Sequence, residues 1–271
     1  DGHPRLAIEE GETYDYNFQV MDRAGSYWYH PHPHGRTGPQ VYRGLAGLFL
    51  IHDDEEAAFT LTSGDNDLPI VIQDRVFDAD NQLVYDPTVM GLFGDRILVN
   101  GLPDYQIVVD RKPYRLRLLN GSNARIYKLA WEDGTPLQVI GTDGGLLEQP
   151  VQRDSITLAP AQRLDLWVDF GQWEAGDTIR MINLSSAVVG GQEAFPIFSA
   201  VINQGERERM SLPEGFSSHE ALDPGQAVNA NNPRQFELGM GMGMRWTING
   251  RTFEMTDVAS DEKVNVGETE I

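Results

Sequence analysis

The sequence predicts an all-β protein made of β-sandwiches, and three observations lead there. Short runs rich in Val, Ile, Leu and aromatic residues recur along the chain between clusters of Gly, Pro, Asn and Asp, a spacing typical of sandwiches. No stretch sustains the i, i+3, i+4 apolar period of a long amphipathic helix. Two short segments also return far along the chain, which implies repeated modules.

In chain order, the β-rich runs are residues 13–20, 45–51, 68–73, 96–99, 105–109 and 114–119. They continue through residues 126–131, 137–140, 155–158, 164–170 and 178–182. The run at 96–99 leads into Asn100-Gly101, and Ile248 leads into Asn249-Gly250; both are turns whose positive φ suits those two residues. The second echo pairs Ile-Glu-Glu-Gly-Glu-Thr-Tyr at 8–14 with Val-Asn-Val-Gly-Glu-Thr-Glu at 264–270. The chain thus samples related sandwiches at different phases. Residues 1–53 form the later part of one and 54–67 an acidic linker, opened by the consecutive acids Asp53, Asp54, Glu55 and Glu56 and expected to be solvated. Residues 68–203 form a complete second sandwich, 204–235 a second linker rich in Gly, Pro, Ser and Asn, and 236–271 the start of a third.

Charge narrows the function. Lys and Arg number 21 against 41 Asp and Glu, a net charge of −20, so the field repels phosphate backbones and anionic membranes. No nucleic-acid partner is expected. The longest apolar stretch, residues 41–51, is interrupted by Arg43 and falls far short of the roughly 20 residues of a membrane span. There is no cysteine, which removes disulfides, thiolate metal sites and cysteine nucleophiles. No basic start with an apolar run opens the chain, so any signal peptide is expected to have been cleaved or to lie upstream. Incomplete outer sandwiches would leave unpaired strand edges, and association with another chain through them is expected.

The chemistry concentrates in Tyr-Trp-Tyr-His-Pro-His-Pro-His-Gly at 27–35, where three of the six histidines fall within five residues. Side chains at i and i+2 of an extended strand share a face, with Cα atoms about 6.6 Å apart. Two imidazoles so placed can converge on one metal or reach toward two neighbouring ones, and neutral imidazole suits copper, zinc, iron or nickel. Pro31 and Pro33 donate no amide hydrogen bond and hold the chain extended at an edge.

This aromatic lead-in, followed by Gln40, Gly44, Gly47 and an apolar strand, resembles a copper-binding motif of the multicopper oxidases, close to the bacterial laccase and bilirubin oxidase branch. The resemblance implies cupredoxin-like Greek-key sandwiches. It also implies that His30 and His32 each bind one copper of a type 3 pair, within a trinuclear centre that reduces dioxygen to water. His32 and His34 form the alternative register, which Trp28 and Tyr29 directly before His30 disfavour. The opening Asp-Gly-His-Pro resembles a segment just after the family's first copper motif. Asp1 would then be the carboxylate that helps deliver protons as oxygen is reduced, with a turn-forming aspartate as the alternative, and His3 would not be a ligand.

Segments at 119–125, 140–145 and 158–163 look like the copper-free second cupredoxin domain of the family. Arg125 and Arg163 are expected to pack or form ion pairs there, and the sequons at Asn120 and Asn183 to be fortuitous. Met240, Met242 and Met244 alternate with glycine and are expected to fill a core from one strand face, a Cu(I) site being the alternative. His52 and His219 are expected to be ordinary surface residues.

By resemblance, the whole protein oxidises phenols, aromatic amines or metal ions one electron at a time at a type 1 copper. It passes four electrons to dioxygen and is periplasmic or secreted. A family member needs eight histidines for its trinuclear centre, of which this chain supplies two, and a cysteine for the type 1 site, so the isolated chain is expected to be inactive. The rivals are a copper-free cupredoxin-fold binding protein and a mononuclear zinc enzyme.

Overall fold

The computed structural model describes residues 8–59, 61–187, 193–216, 218, 222–243 and 245–271. The chain divides into two compact units, one of them Ile8–Ser218 and the other containing His219–Ile271. Both are built from strands, as the all-β reading expects.

The larger unit opens with a hairpin of β1 (Gly25–Tyr29) and β2 (Gly47–Ile51), with helix α1 (Thr37–Tyr42) in its connection and helix α2 (Asp54–Ala57) after it. Next come β3 (Asp67–Arg75), β4 (Arg96–Val99), β5 (Leu102–Pro103), β6 (Gln106–Val109), β7 (Pro113–Asn120) and β8 (Tyr127–Trp131). The unit finishes with β9 (Leu137–Thr142), β10 (Gly145–Arg153), β11 (Ile156–Leu158), β12 (Arg163–Asp169), β13 (Thr178–Asn183) and β14 (Phe195–Ile202). Seven strands form one sheet in the order β10-β9-β12-β7-β3-β4-β5, and five form another in the order β11-β8-β13-β14-β6. Pairing is antiparallel except for β3 with β7 and β6 with β14.

Period-two alternation delivers the core between these sheets. Leu116, Leu118, Leu164, Leu166, Ile70 and Ile72 from the larger sheet join Leu129, Trp131, Ile179, Met181, Phe198 and Ala200 from the smaller in one buried cluster. Trp131, Phe170 and Phe198 meet edge to face, the arrangement aromatic quadrupoles favour. Asn120 and Asn183 are wholly buried, and their amides donate to the carbonyls of Arg125, Leu158 and Glu193, so neither sequon is open to a glycan.

Several expected strands recur almost in place, but residues 13–20 do not form one. Among the described residues that run has no ladder partner, and Tyr14, Tyr16 and Phe18 stand exposed; without a partner strand, alternation alone makes no sheet. The acidic stretch is likewise not simply solvated. Asp53 caps α2 by accepting from the Glu56 amide, and Glu56 is only 8% exposed.

In the smaller unit, β15 (Leu238–Met240) pairs with β16 (Trp246–Ile248). Both sequence echoes return as matching geometry. Asn100 and Asn249 each have φ of 51° and are followed by positive-φ glycines. Each uses its side-chain carbonyl to accept a backbone N–H across its hairpin, from Val71 and Glu237 respectively. The turns at Gly11 and Gly267 have φ of 86° and 87°. The methionines differ from expectation: Met240 is 46% exposed and Met242 fully exposed, and among the described residues neither hydrophobic core cluster includes this two-stranded ribbon. Met244 lies outside the described residues.

Candidate metal centre

The hairpin places the histidines by interrupting itself. The β1–β2 ladder runs from Gly25 opposite Ile51 to Tyr29 opposite Gly47, and His30 is the first residue past its end. Pro31 and Pro33 cannot donate to a ladder, so the strand stops where the histidines begin. A turn in which the Arg36 amide donates to the Pro33 carbonyl then leads into α1. Gly44, at φ +93°, reverses the chain toward β2, a conformation that glycine adopts without steric cost.

His30 and His32 are brought together. Their ring centroids are 5.4 Å apart with the planes 37° from parallel. Since Cα atoms two apart on an extended chain are already separated by about 6.6 Å, the two rings project to one side. Trp28 stacks on His30 at 4.4 Å and 28°, restraining its rotation. The Nδ1 of His30 lies 2.9 Å from the Pro31 carbonyl oxygen. That oxygen can only accept, so Nδ1 carries a proton, and in the neutral ring the lone pair offered to a metal is then on Nε2. The donor set therefore fits a borderline metal such as copper. His34 sits farther on, exposed in the turn before α1. Asp1, His3 and His219 lie outside the described residues. Among the described residues no cluster of three or more His, Cys, Asp or Glu could hold a metal, so the pair needs further ligands from elsewhere.

What fixes β1 was not legible in the motifs. The Ser26 hydroxyl donates to Asp165 Oδ1 at 2.5 Å, and Arg163 Nε donates to the Ser26 carbonyl at 2.8 Å. Asp165 in turn accepts from Arg115, which also pairs with Glu56, while Arg117 donates to both carboxylate oxygens of Asp67. Arg115, Arg117 and Asp165 are each 1% exposed or less. Burial alone would raise the Glu56 pKa, but hydrogen bonding and charge from Arg115, with His52 and Arg117, outweigh it and hold the carboxyl below its ordinary range. His52 is thus more than a surface residue, because its Nδ1 lies 2.7 Å from Glu56 Oε2 at the rim of this cluster. The available signal was the Arg-Leu-Arg-Leu alternation at 115–118, which places two arginines on one face of a central strand. Backbone contact also ties β1 down: a Cβ on Gly25 would meet the Gly145 Cα at 2.8 Å. A cleft of about 740 Å³ near Arg96, Tyr105 and Phe195 includes none of the histidines.

Residues 1–56 and 68–194 match family models that are both described as multicopper oxidase. The chain belongs to the multicopper oxidase family. It is 32% identical to the multicopper oxidase mco of Staphylococcus aureus, across 99% of this chain and 54% of that protein. It is 39% identical to the cell division protein FtsP of Edwardsiella tarda, across 64% of this chain and 37% of that one. The crystal structure of the McoA multicopper oxidase from the hyperthermophile Aquifex aeolicus superposes with a TM-score of 0.85 at 41% identity, covering 93% of this chain and 56% of the other. The chain spans about half the length of the Staphylococcus aureus relative.

Proposed function

We propose that His30 and His32 are ligands of a type 3 copper pair, and that the whole protein is a laccase-like oxidase. It would couple one-electron oxidation of phenols, aromatic amines or metal ions to reduction of dioxygen to water. The observation that carries this reading is the shared direction of the two imidazoles, with His30 Nδ1 facing the Pro31 carbonyl so that Nε2 is the metal-binding nitrogen of the neutral ring. Copper, when bound, would supply the one-electron chemistry.

The chain's own residues bind and orient. His30 and His32 would offer imidazole lone pairs, Trp28 limits ring rotation, and the two prolines stiffen the backbone around the ligands. The chain has no cysteine, so the His2Cys blue-copper site that accepts electrons from substrate is not within it. The 271 residues alone, supplied with copper, are therefore expected to show no oxidase turnover. Asp1 as a proton-delivering carboxylate belongs to the same proposal, as does a periplasmic or secreted location; among the described residues no helix is long and apolar enough to cross a membrane.

The test is copper content and oxygen uptake of the full-length protein with a phenolic reductant, beside the His30→Ala/His32→Ala double variant. Copper-dependent uptake that disappears in the variant supports the reading. A copper-free protein with no uptake would replace it with a cupredoxin-fold binding protein.

A further inference from the structure

The hairpin bearing the histidines is only half explained by its own ladder, because α1 lies between the ligands and the return strand. That helix has six residues, no side-chain cap at its N-terminus, no acidic residue in its first turn and no basic residue in its last. A helix so short is not stable on local terms. What holds it comes from the sandwich that follows.

Asn123, in the loop after β7, donates through Nδ2 to the Gly38 carbonyl at 2.9 Å. Arg75, at the end of β3 and 2% exposed, directs Nη2 toward the Val41 carbonyl at 3.4 Å and lies over the Tyr42 ring at 4.6 Å. The Val76 amide donates to the Tyr42 hydroxyl at 2.7 Å. Burying a guanidinium is costly unless its partners are well placed, and here those partners are two backbone carbonyls and an aromatic face. At the other end of α1, the Thr37 hydroxyl and the Arg36 amide both donate to the Pro33 carbonyl. Pro33 directly follows His32. With φ fixed at Pro31 and Pro33, few torsions remain to absorb a shift of α1 before it reaches the rings.

We propose that Arg75 and Asn123 are positioning residues for the histidine pair, holding α1 so that His30 and His32 present their rings together. This rests on the copper reading for its purpose, but the positioning itself can be read without metal. The experiment uses the full-length protein with Asn123→Asp, which keeps shape and loses the N–H donor, and Arg75→Lys, which keeps charge and loses the planar stack. Imidazole nitrogen NMR of the metal-free proteins reports the tautomer and environment of each ring. Cu(I) affinity is then measured by competition with a colorimetric chelator, and thermal unfolding is followed in parallel.

The expected result is displaced His30 and His32 ring signals and Cu(I) affinity lower by roughly tenfold, the scale typical of supporting partners of metal ligands. Unchanged ring signals and affinity beside a lowered Tm would overturn the proposal, since that is what a purely structural role produces. If Arg75→Lys does not fold, Asn123→Asp decides by the same criterion. If wild type binds Cu(I) no better than the His30→Ala/His32→Ala variant, the copper reading fails, and the metal-free ring signals alone settle whether the two residues position the pair.

Discussion

On one face of β7, Tyr114, Leu116 and Leu118 enter the sandwich core; on the other, Arg115 and Arg117 are buried just as deeply against Ser26, Glu56, Asp67 and Asp165. The apolar face relies on removing surface from water, which tolerates changes of shape. The charged face relies on every partner being present, because a buried ion left alone is far worse than no ion at all. Equal burial thus conceals unequal tolerance. The charged face also secures β1, the strand that leads into His30.

The contrast predicts a ranked series. Arg115→Ala, which strands Asp165 and Glu56 in a buried site, is expected to cost about 3–5 kcal/mol in urea unfolding; a loss near zero would mean that water already enters the cluster and would break the comparison. Leu118→Ala on the opposite face is expected to cost about 2–5 kcal/mol, toward the lower end if neighbouring leucines relax into the space.

Acid separates the faces more sharply, because only one of them titrates. Glu56 is held below its ordinary value near 4.5, so its contribution is present above that value and lost as pH falls through the lowered folded one. The stability gap between wild type and Glu56→Gln, wide at neutral pH, should close on acidification below about pH 4, whereas the gap for Leu118→Ala should not. Ser26→Ala, removing one hydroxyl shared by Asp165 and Arg117, is expected to cost about 1–2 kcal/mol. The exposed pair Arg180 and Glu132, 3.0 Å apart, supplies the floor: Arg180→Ala should cost under about 1 kcal/mol, with what remains fading in salt.

The same contrast explains what was legible beforehand. Strands that pair locally and face an apolar core declare themselves in composition, and residues 96–99 and 178–182 correspond closely to β4 and β13. The Asn-Gly echoes were legible because positive φ restricts residue choice, and the turns repeat down to the side-chain hydrogen bond. The proximity of the His30 and His32 rings was legible because residues two apart on an extended chain share a face. Arg115, Arg117 and Glu56 were not, since charge ordinarily marks a solvated surface and only the fold brings their partners from residues 26, 67 and 165. Helix α1 was missed for a related reason: it is held by Asn123 and Arg75 from outside and carries almost no signal of its own.

The two parallel pairings bear on how quickly the molecule can form. The strands β6 and β14 have seven others between them in the chain, and β3 meets β7 across three. Neither pairing can close until a long intervening segment has been gathered, and that entropic toll comes before any contact repays it. Refolding is therefore expected in the millisecond-to-second range of sandwich topologies, leaving a nascent chain time to expose its β-rich segments to others. Dilution or a holding chaperone should raise the yield of recovered protein far more than any gain in final stability would.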